Sequence, residues 1–156
     1  MALIKKTKRT VANRRNAIQH LARRMREEDK EGLTEELLER TKHHFCEGVY
    51  AREFFLPKEA ACVGRVHKKG CFNVLLRGHL RVAMGEGETQ DMKAPQFFVS
   101  GPGESKALYA YEDSVFITFH ATEETDPDKM MDLFTVEDNQ AYLAYRRELL
   151  THEDNT

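Results

Sequence analysis

Four side chains in the middle of the chain are of types that could bind a metal ion. They are His67, Cys71, Glu112 and His120, and each lies on or beside a segment with a strand-like pattern. Imidazole, thiolate and carboxylate groups together suit zinc or another divalent transition metal. Alternatively, these side chains satisfy one another by hydrogen bonding inside a β-structure. We favour this second interpretation and predict no cofactor, with a divalent transition metal as the alternative.

The sequence gives little reason to expect a catalytic residue. Cys71 has no adjacent histidine with a third group to orient it, and a buried cysteine is usually unreactive. His43 and His44 fall at the predicted C-terminal end of a helix, where consecutive side chains point in different directions. Their favourable charge near that helix end is the simpler interpretation. The sequence therefore favours a protein that is not an enzyme.

The elements that position these side chains are predicted to be short strands. Apolar residues recur with a period of two between about residues 49 and 121, and turn residues interrupt them. The predicted strands are 49–56, 63–67, 72–76, 79–84, 94–100, 106–111 and 114–120. Roughly seven or eight short strands at this spacing predict a sandwich, a jelly roll or a barrel.

Helical patterns flank the predicted strands on both sides. A first helix is predicted over about residues 8–30, and a second begins at Thr34 and continues through Phe45. After the strands, Asp126 followed by Pro127 is a strong helix start, and Thr135 is predicted to cap one more helix. The predicted division is a helical arm over 1–46, a β-barrel over 47–122 and a helical segment over 123–156.

The order of residues in the strand region resembles the cupin motif, in which three histidines and a glutamate surround a metal. Gly64 and His67 begin a similar stretch and Gly78 closes it. Lys69 stands where the motif has its second histidine, and its ammonium group is expected beside the site. The remaining positions of the motif are also changed, with Asn73 or Val74 at the glutamate and Lys106 and Ala107 near the last histidine. The resemblance therefore implies a cupin-like barrel with a degenerate metal motif.

A narrower resemblance covers roughly residues 48–134. The run from GRVHKKGCFNVLLRG to YAYEDSVFITFH is similar to a group of small cupin-like proteins encoded by tailed bacteriophages. The chain shares with this group His67, Lys68, Asn73, Tyr109, Glu112 and Asp113. It departs from the group at Gly70 and Cys71, where the group tends to carry glutamate and histidine. This resemblance implies a protein of the virion, or of the host cytoplasm during infection.

The two ends of the chain carry opposite charge. Residues 1–30 hold ten lysines and arginines against three acids, and residues 123–156 hold ten acids against three bases. Such asymmetry usually indicates an interaction partner. We predict that residues 1–30 dock on a protein, either another copy of this chain or other phage virion proteins. The predicted docking residues are Ile18, Leu21 and Met25 with Arg14, Arg15, Arg23 and Arg24.

Other partners and compartments are less consistent with the sequence. Nucleic acid is the second choice for residues 1–30, because clustered cations release counterions from phosphates. A membrane is not expected, since this segment lacks a large Trp/Phe/Leu face. No apolar core of a secretory signal follows the N-terminal bases. Cys46, Cys62 and Cys71 have no disulfide-like spacing, which favours free thiols in a reducing compartment.

The predicted function is therefore that of a non-catalytic phage structural or accessory protein. It would assemble with itself and with other virion components through the barrel and the charged helical ends. One alternative is a cupin that binds a metal or a small molecule, either as an enzyme such as an isomerase or dioxygenase, or by sequestering a ligand. The second alternative is a nucleic-acid-binding accessory protein.

Overall fold

The computed structural model describes the backbone of residues 2–28, 33–85 and 89–153, and the side chains of residues 11–28, 35–85 and 89–152. In chain order the first elements are α1 (Ala2–Glu28), α2 (Leu33–Glu39), β1 (Lys42–Cys46), β2 (Val49–Leu56), β3 (Ala61–Val63), β4 (Val66–His67) and β5 (Cys71–Arg77). The next are β6 (His79–Met84), β7 (Gln90–Lys93), β8 (Gln96–Ser100), β9 (Lys106–Ala110) and β10 (Ser114–Ala121). The last are α3 (Pro127–Phe134), β11 (Thr135–Val136) and α4 (Asn139–Glu153).

Two antiparallel sheets form the barrel. The larger sheet has five strands in the order β1-β2-β10-β5-β8, and the smaller has four in the order β3-β9-β6-β7. A short antiparallel pair of β4 and β11 ties the start of the barrel to the C-terminal segment. The prediction of a mainly β fold, with a barrel between N-terminal and C-terminal helices, is confirmed.

The core of the barrel lies between the inner faces of the two sheets. Because successive side chains of a strand point to opposite faces, every second residue of β5, β6 and β10 is buried. Both sheets contribute to one apolar cluster, which contains Leu37, Phe54, Leu56, Leu75, Leu80, Val82, Met92, Leu108, Ala110 and Phe116. Burial of these side chains provides the main free energy that holds the two sheets together.

Helix α1 packs on the barrel of its own chain, against β3, β6 and β9. Ile18 and Ala22 are buried in this contact. Arg15 Nη2 lies 3.1 Å from Glu104 Oε1, and the backbone N–H of Gly85 donates to Glu104 Oε2 at 3.1 Å. Since the Glu104 side chain is only 2% exposed, a buried ion pair holds the helix to the barrel.

The second helix is shorter than predicted. It ends at Glu39, and Lys42–Cys46 forms a strand in place of the predicted helix through Phe45. This strand pairs with β2, and the ring of Phe45 stacks on Tyr50 at a centroid distance of 5.2 Å. Pairing with β2 satisfies the backbone and overrides the weak local preference for a helix. His43 and His44 therefore lie on a strand, and the predicted helix-end role for them is wrong.

Helix α3 begins at the predicted residue, whereas α4 begins at a different one. Asp126 caps α3 as predicted, because its carboxylate accepts the N–H of Asp128 at 3.1 Å. Thr135 does not begin the next helix as predicted, because it ends α3 as its C-cap and lies in β11 opposite His67. The cap of α4 is Asp138, whose carboxylate accepts the N–H of Ala141 at 2.8 Å. The predicted single strand over 63–67 is likewise divided into β3 and β4.

Candidate functional site

One end of the barrel interior is polar. Strand alternation places buried polar side chains two residues apart on β5 and on β10, facing inward. The polar cluster consists of His67, Cys71, Asn73, Ser100, Lys106, Thr118 and His120, all of which are buried. These residues come from five different strands and from both sheets, so only the complete barrel brings them together.

Asn73 lies at the centre of the polar cluster and is fully buried. Its Nδ2 donates to Ser100 Oγ at 2.9 Å and approaches the carbonyl oxygens of Cys71 and Phe98 at 3.2 and 3.3 Å. Its Oδ1 accepts the hydroxyl of Thr118 at 3.3 Å. The amide is thereby fully hydrogen-bonded, which is the arrangement that makes a buried polar side chain tolerable.

Three of the four predicted metal-ligating residues lie together in this cluster. The ligand atoms of His67, Cys71 and His120 are all within 4.8 Å of one another, and His67 Nδ1 is 3.6 Å from Cys71 Sγ. Glu112 is exposed between β9 and β10 and does not join them. Burial, followed by the charge of Lys106, lowers the pKa of His67 to about 2 and that of His120 to about 4. Both imidazoles are therefore neutral near neutral pH, as metal ligation requires.

The ammonium group of Lys106 lies within the same donor set. Its Nζ is 3.4 Å from His67 Nε2, 3.9 Å from Cys71 Sγ and 3.2 Å from Ser100 Oγ. The sequence predicted that the ammonium group of Lys69 would lie beside this site, but Lys69 is exposed. That prediction is wrong, and Lys106 occupies the position instead. Two histidines and a thiol have the right chemistry for zinc. The amino group of Lys106 already lies among these atoms, however, so a metal ion would have to displace it.

The polar cluster forms part of the wall of a large cavity. The cavity has a volume of about 1160 Å³ and extends from the barrel interior to an opening beside α1, α2 and α3. His67, Lys106, Thr118 and His120 of the polar cluster line it, together with Arg52. Apolar side chains form other parts of the wall, among them Phe54, Leu108, Phe116, Met130 and Phe134.

Arg52 is the second cationic side chain of the cavity. It lies on β2 opposite Thr118, on the inward-facing side between Tyr50 and Phe54. Its Nη2 is 3.4 Å from Thr41 Oγ1, and its guanidinium carbon is 5.1 Å from the centroid of the Phe54 ring. Burial lowers the pKa of Arg52. The inward position of this arginine in VYAREFFL was the signal in the sequence that could have identified it.

Aromatic rings continue the cavity wall beyond the polar cluster. His120 stacks on Phe134 at a centroid distance of 4.0 Å and on His67 at 5.5 Å. The hydroxyl of Tyr50 lies 2.8 Å from His43 Nδ1, and burial lowers the pKa of that histidine. His43 thus belongs to the wall of the cavity, where flat aromatic surfaces lie beside polar atoms.

The predicted docking residues of α1 divide between the barrel and solvent. Ile18 is buried against the barrel, Met25 lines the cavity and Leu21 is 45% exposed. Arg15 binds Glu104, whereas Arg14 is half-buried. Arg23 and Arg24 are exposed and pair with Glu27 and Glu28 on the same helix, at 3.8 and 2.7 Å. Part of the predicted docking surface is therefore used within the chain.

The three cysteines differ in environment. Cys46 is exposed, Cys62 is half-buried in the cavity wall and Cys71 is buried, and all three are free thiols. Burial raises the pKa of Cys62 to about 12. Cys62 is therefore an unreactive thiol at neutral pH, because the thiolate is the nucleophilic form.

Several solved structures are similar to this chain. An RmlC-like cupin family protein with a double-stranded β-helix fold from Methanocaldococcus jannaschii is 10% identical, over 52% of this chain and 79% of that one, with a TM-score of 0.44. KdgF from a Halomonas species is 17% identical, over 54% of this chain and 80% of that one, with a TM-score of 0.46. A conserved protein of unknown function from Streptococcus pyogenes is 18% identical, over 55% of this chain and 75% of that one, with a TM-score of 0.43.

No protein-family model matches the sequence, and no curated protein matches it either. In the described parts of the chain, none of the helices combines the length and the apolar character that a membrane crossing requires.

Proposed function

We propose that this protein binds a small molecule inside its cupin-like barrel and does not transform it. The observation that supports this proposal is the cavity of about 1160 Å³, whose wall combines polar and charged side chains with apolar ones. Small-molecule sites are typically cavities of roughly 300–1,000 Å³ that combine apolar surface with a few converging polar groups, and this cavity is slightly larger and more polar. The bound molecule would be enclosed by both sheets and by α1, α2 and α3.

The properties of the polar cluster favour binding over catalysis. A general acid or base works best when its pKa lies near the working pH. The pKa values of His67 and His120, about 2 and about 4, are far below that range. Asn73 and Ser100 are engaged with each other and with backbone carbonyls, so they hold the wall in place. The cluster is thus suited to present fixed polar atoms to a ligand.

Nuclear magnetic resonance tests this proposal directly. A panel of small neutral, cationic and anionic molecules of similar size is titrated into the isotope-labelled protein. We expect at least one to bind saturably and to shift the amide signals of Leu108, Thr118 and His120 together. Val63→Trp, which places a large side chain in the cavity wall, should abolish these shifts, and Leu149→Ser on the exposed face of α4 should leave them unchanged. A folded protein that binds nothing at millimolar concentration would contradict the proposal.

A second candidate function is self-assembly through the outer face of the five-stranded sheet. Phe97 and Val99 on the edge strand β8 are 69% and 67% exposed, and Phe72 and Leu76 on β5 are exposed beside them. The rings of Phe72 and Phe97 stack at 5.5 Å. Apolar patches of this kind commonly mark protein-interaction sites. The patch supports the predicted homo-oligomer, although it lies on the barrel and not on the charged arm.

Sedimentation velocity tests the assembly function. The unmodified protein is expected to sediment as an oligomer, and Phe97→Ser combined with Val99→Ser should shift it to a monomer. Leu150→Ser removes an exposed leucine from α4 and serves as the matched control. If the wild-type protein stays monomeric at high concentration, the self-assembly function is excluded.

The phage setting and the nucleic-acid alternative stay predictions from the sequence. Mass spectrometry of purified virions, with a fixed copy number as the expected result, tests the first. The salt dependence of binding to DNA and RNA tests the second. Pairing of Arg23 and Arg24 with glutamates of the same helix weakens the case for phosphate binding by that face.

A further inference from the structure

The cavity contains two cationic side chains whose partners are neutral. Lys106 is 5% exposed, and its contacts among the described residues are the hydroxyl of Ser100, the ring of His67 and the thiol of Cys71. Arg52 contacts the hydroxyl of Thr41 and the face of Phe54. Among the residues that the structure describes, no carboxylate forms an ion pair with either of them.

The carboxylates nearest to the cavity do not neutralise these two cations. Glu104 precedes Lys106 by two residues, but its oxygens bind Arg15 and the backbone of Gly85. Glu28, Asp128 and Glu137 line the cavity at exposed positions, where solvent and salt screen their charge. Burial lowers the pKa of Lys106, as expected for an ammonium group without a carboxylate in contact with it, and Arg52 remains charged in the same cavity. An anion bound beside the two side chains would therefore supply the missing counter-charge and favour the protonated form of Lys106.

We infer that the ligand of this cavity is a small organic anion, with a carboxylate or phosphate group held between Arg52 and Lys106. The guanidinium group offers a planar pair of donors to such a group, and the ammonium group adds a second positive charge. The rest of the ligand is expected to be apolar, because Phe54, Leu108 and Phe116 line the same cavity. This inference rests on the proposed small-molecule function and specifies the chemical class of the molecule.

Calorimetry with four probes of similar shape tests the inference. Benzoate and phenyl phosphate carry the anionic group, benzamide is the neutral counterpart of benzoate, and benzylamine is cationic. We expect the better of the two anions to bind at least about tenfold more tightly than benzamide, and benzylamine not to bind. Comparing the two anions also distinguishes a carboxylate site from a phosphate site.

Variants of the two cations complete the experiment. Arg52→Met is expected to weaken binding of the preferred anion by at least about tenfold, and Arg52→Lys should recover part of that loss. Lys93→Met, at an exposed position on β7, should bind as the wild type does. If Arg52→Met fails to fold, Lys106→Met and the comparison of probes on the wild type decide the question.

The outcomes separate this inference from the proposed function. If neither benzoate nor phenyl phosphate binds at the cavity more tightly than benzamide, the anion inference is overturned and the small-molecule function still stands. Anion binding that Arg52→Met and Lys106→Met both leave unchanged would also overturn it, because the anion would then bind elsewhere. Binding of no probe and of no molecule in the larger panel would count against both.

Discussion

The two ends of the barrel interior are built from the same strands but differ in chemistry. On β5, Leu75 belongs to the apolar core whereas Asn73, two residues away, belongs to the polar cluster. On β10, Phe116 and Thr118 divide in the same way. The apolar end gains free energy simply by leaving water, while the polar end must hydrogen-bond every group that it buries. The comparison indicates that the apolar end mainly maintains the fold, whereas the polar end and the core side chains that line the cavity, Phe54, Leu108 and Phe116, are available for binding.

Removing volume from the apolar end should have the largest effect. Leu75 is fully buried between the sheets, so Leu75→Ala leaves a cavity and is expected to lower the free energy of unfolding by about 2–5 kcal/mol. Its neighbour Leu76 points outward, and Leu76→Ala should change stability by less than about 0.5 kcal/mol. Urea denaturation of both variants measures the difference. Similar losses for the two leucines would contradict the assignment of the core.

Acid should weaken the polar end specifically. The folded pKa values of His67 and His120 are depressed, to about 2 and about 4, from an unfolded value of about 6.5. The stability linked to them is therefore present above about pH 6.5 and is lost as the pH falls, by about 1.4 kcal/mol per pH unit for each histidine. Denaturation at a series of pH values from neutral to about pH 5 measures the slope. His120→Gln should reduce that slope, and an unchanged slope would show that other groups cause it.

Breaking the hydrogen-bonded centre of the polar cluster should have a smaller effect than emptying the core. Asn73→Ala leaves the hydroxyls of Thr118 and Ser100 without their amide partner, at an expected cost of about 1–3 kcal/mol. Gln96→Ala at an exposed position of β8 is the matched control. Thermal denaturation compares the two. A loss as large as that of Leu75→Ala would mean that the two ends stabilise the fold alike.

Exchange of Lys106 should change metal affinity more than stability. With the ammonium group in place, protein purified without chelator is expected to contain well under one equivalent of transition metal. Lys106→Met removes the competing charge from beside His67 and Cys71, so zinc affinity should rise by at least about tenfold. Elemental analysis and zinc titration check both statements, with Lys93→Met as the control. A stoichiometric metal in the wild type, lost in His67→Ala, would establish a metal centre instead.

The sequence predicted the regular strands well because their alternation is local. The predicted bounds of β2 agree with the structure, and those of β10 agree to within one residue. Strand β1 was missed because apolar and polar residues do not alternate in the run KHHFC. Its strand conformation depends on pairing with β2. Strand β7 was missed because it is a short and mostly exposed edge strand. Pairing across the sheet supplies what the local pattern lacks.

The candidate site was predictable only in part. His67, Cys71 and His120 were named from residue type and strand position, and the structure brings them together. Arg52 and Lys106 were not recognised as cavity residues, because charged residues on strands usually face solvent. For Arg52, the face that it shares with Tyr50 and Phe54 in VYAREFFL was available in the sequence and was overlooked. The inward orientation of Lys106 depends on the register of β9 within its sheet, which an isolated sequence does not reveal.

The attachment of α1 has a consequence for how long a ligand stays bound. Ala22 and Met25 make this helix part of the cavity wall, and the Arg15–Glu104 ion pair holds it closed against the barrel. Because the cavity opens beside this helix, movement of α1 changes the width of the opening, so the residence time of a ligand depends on helix movement as well as on its contacts. Weakening the ion pair should therefore speed both entry and exit, with a smaller change in the equilibrium constant.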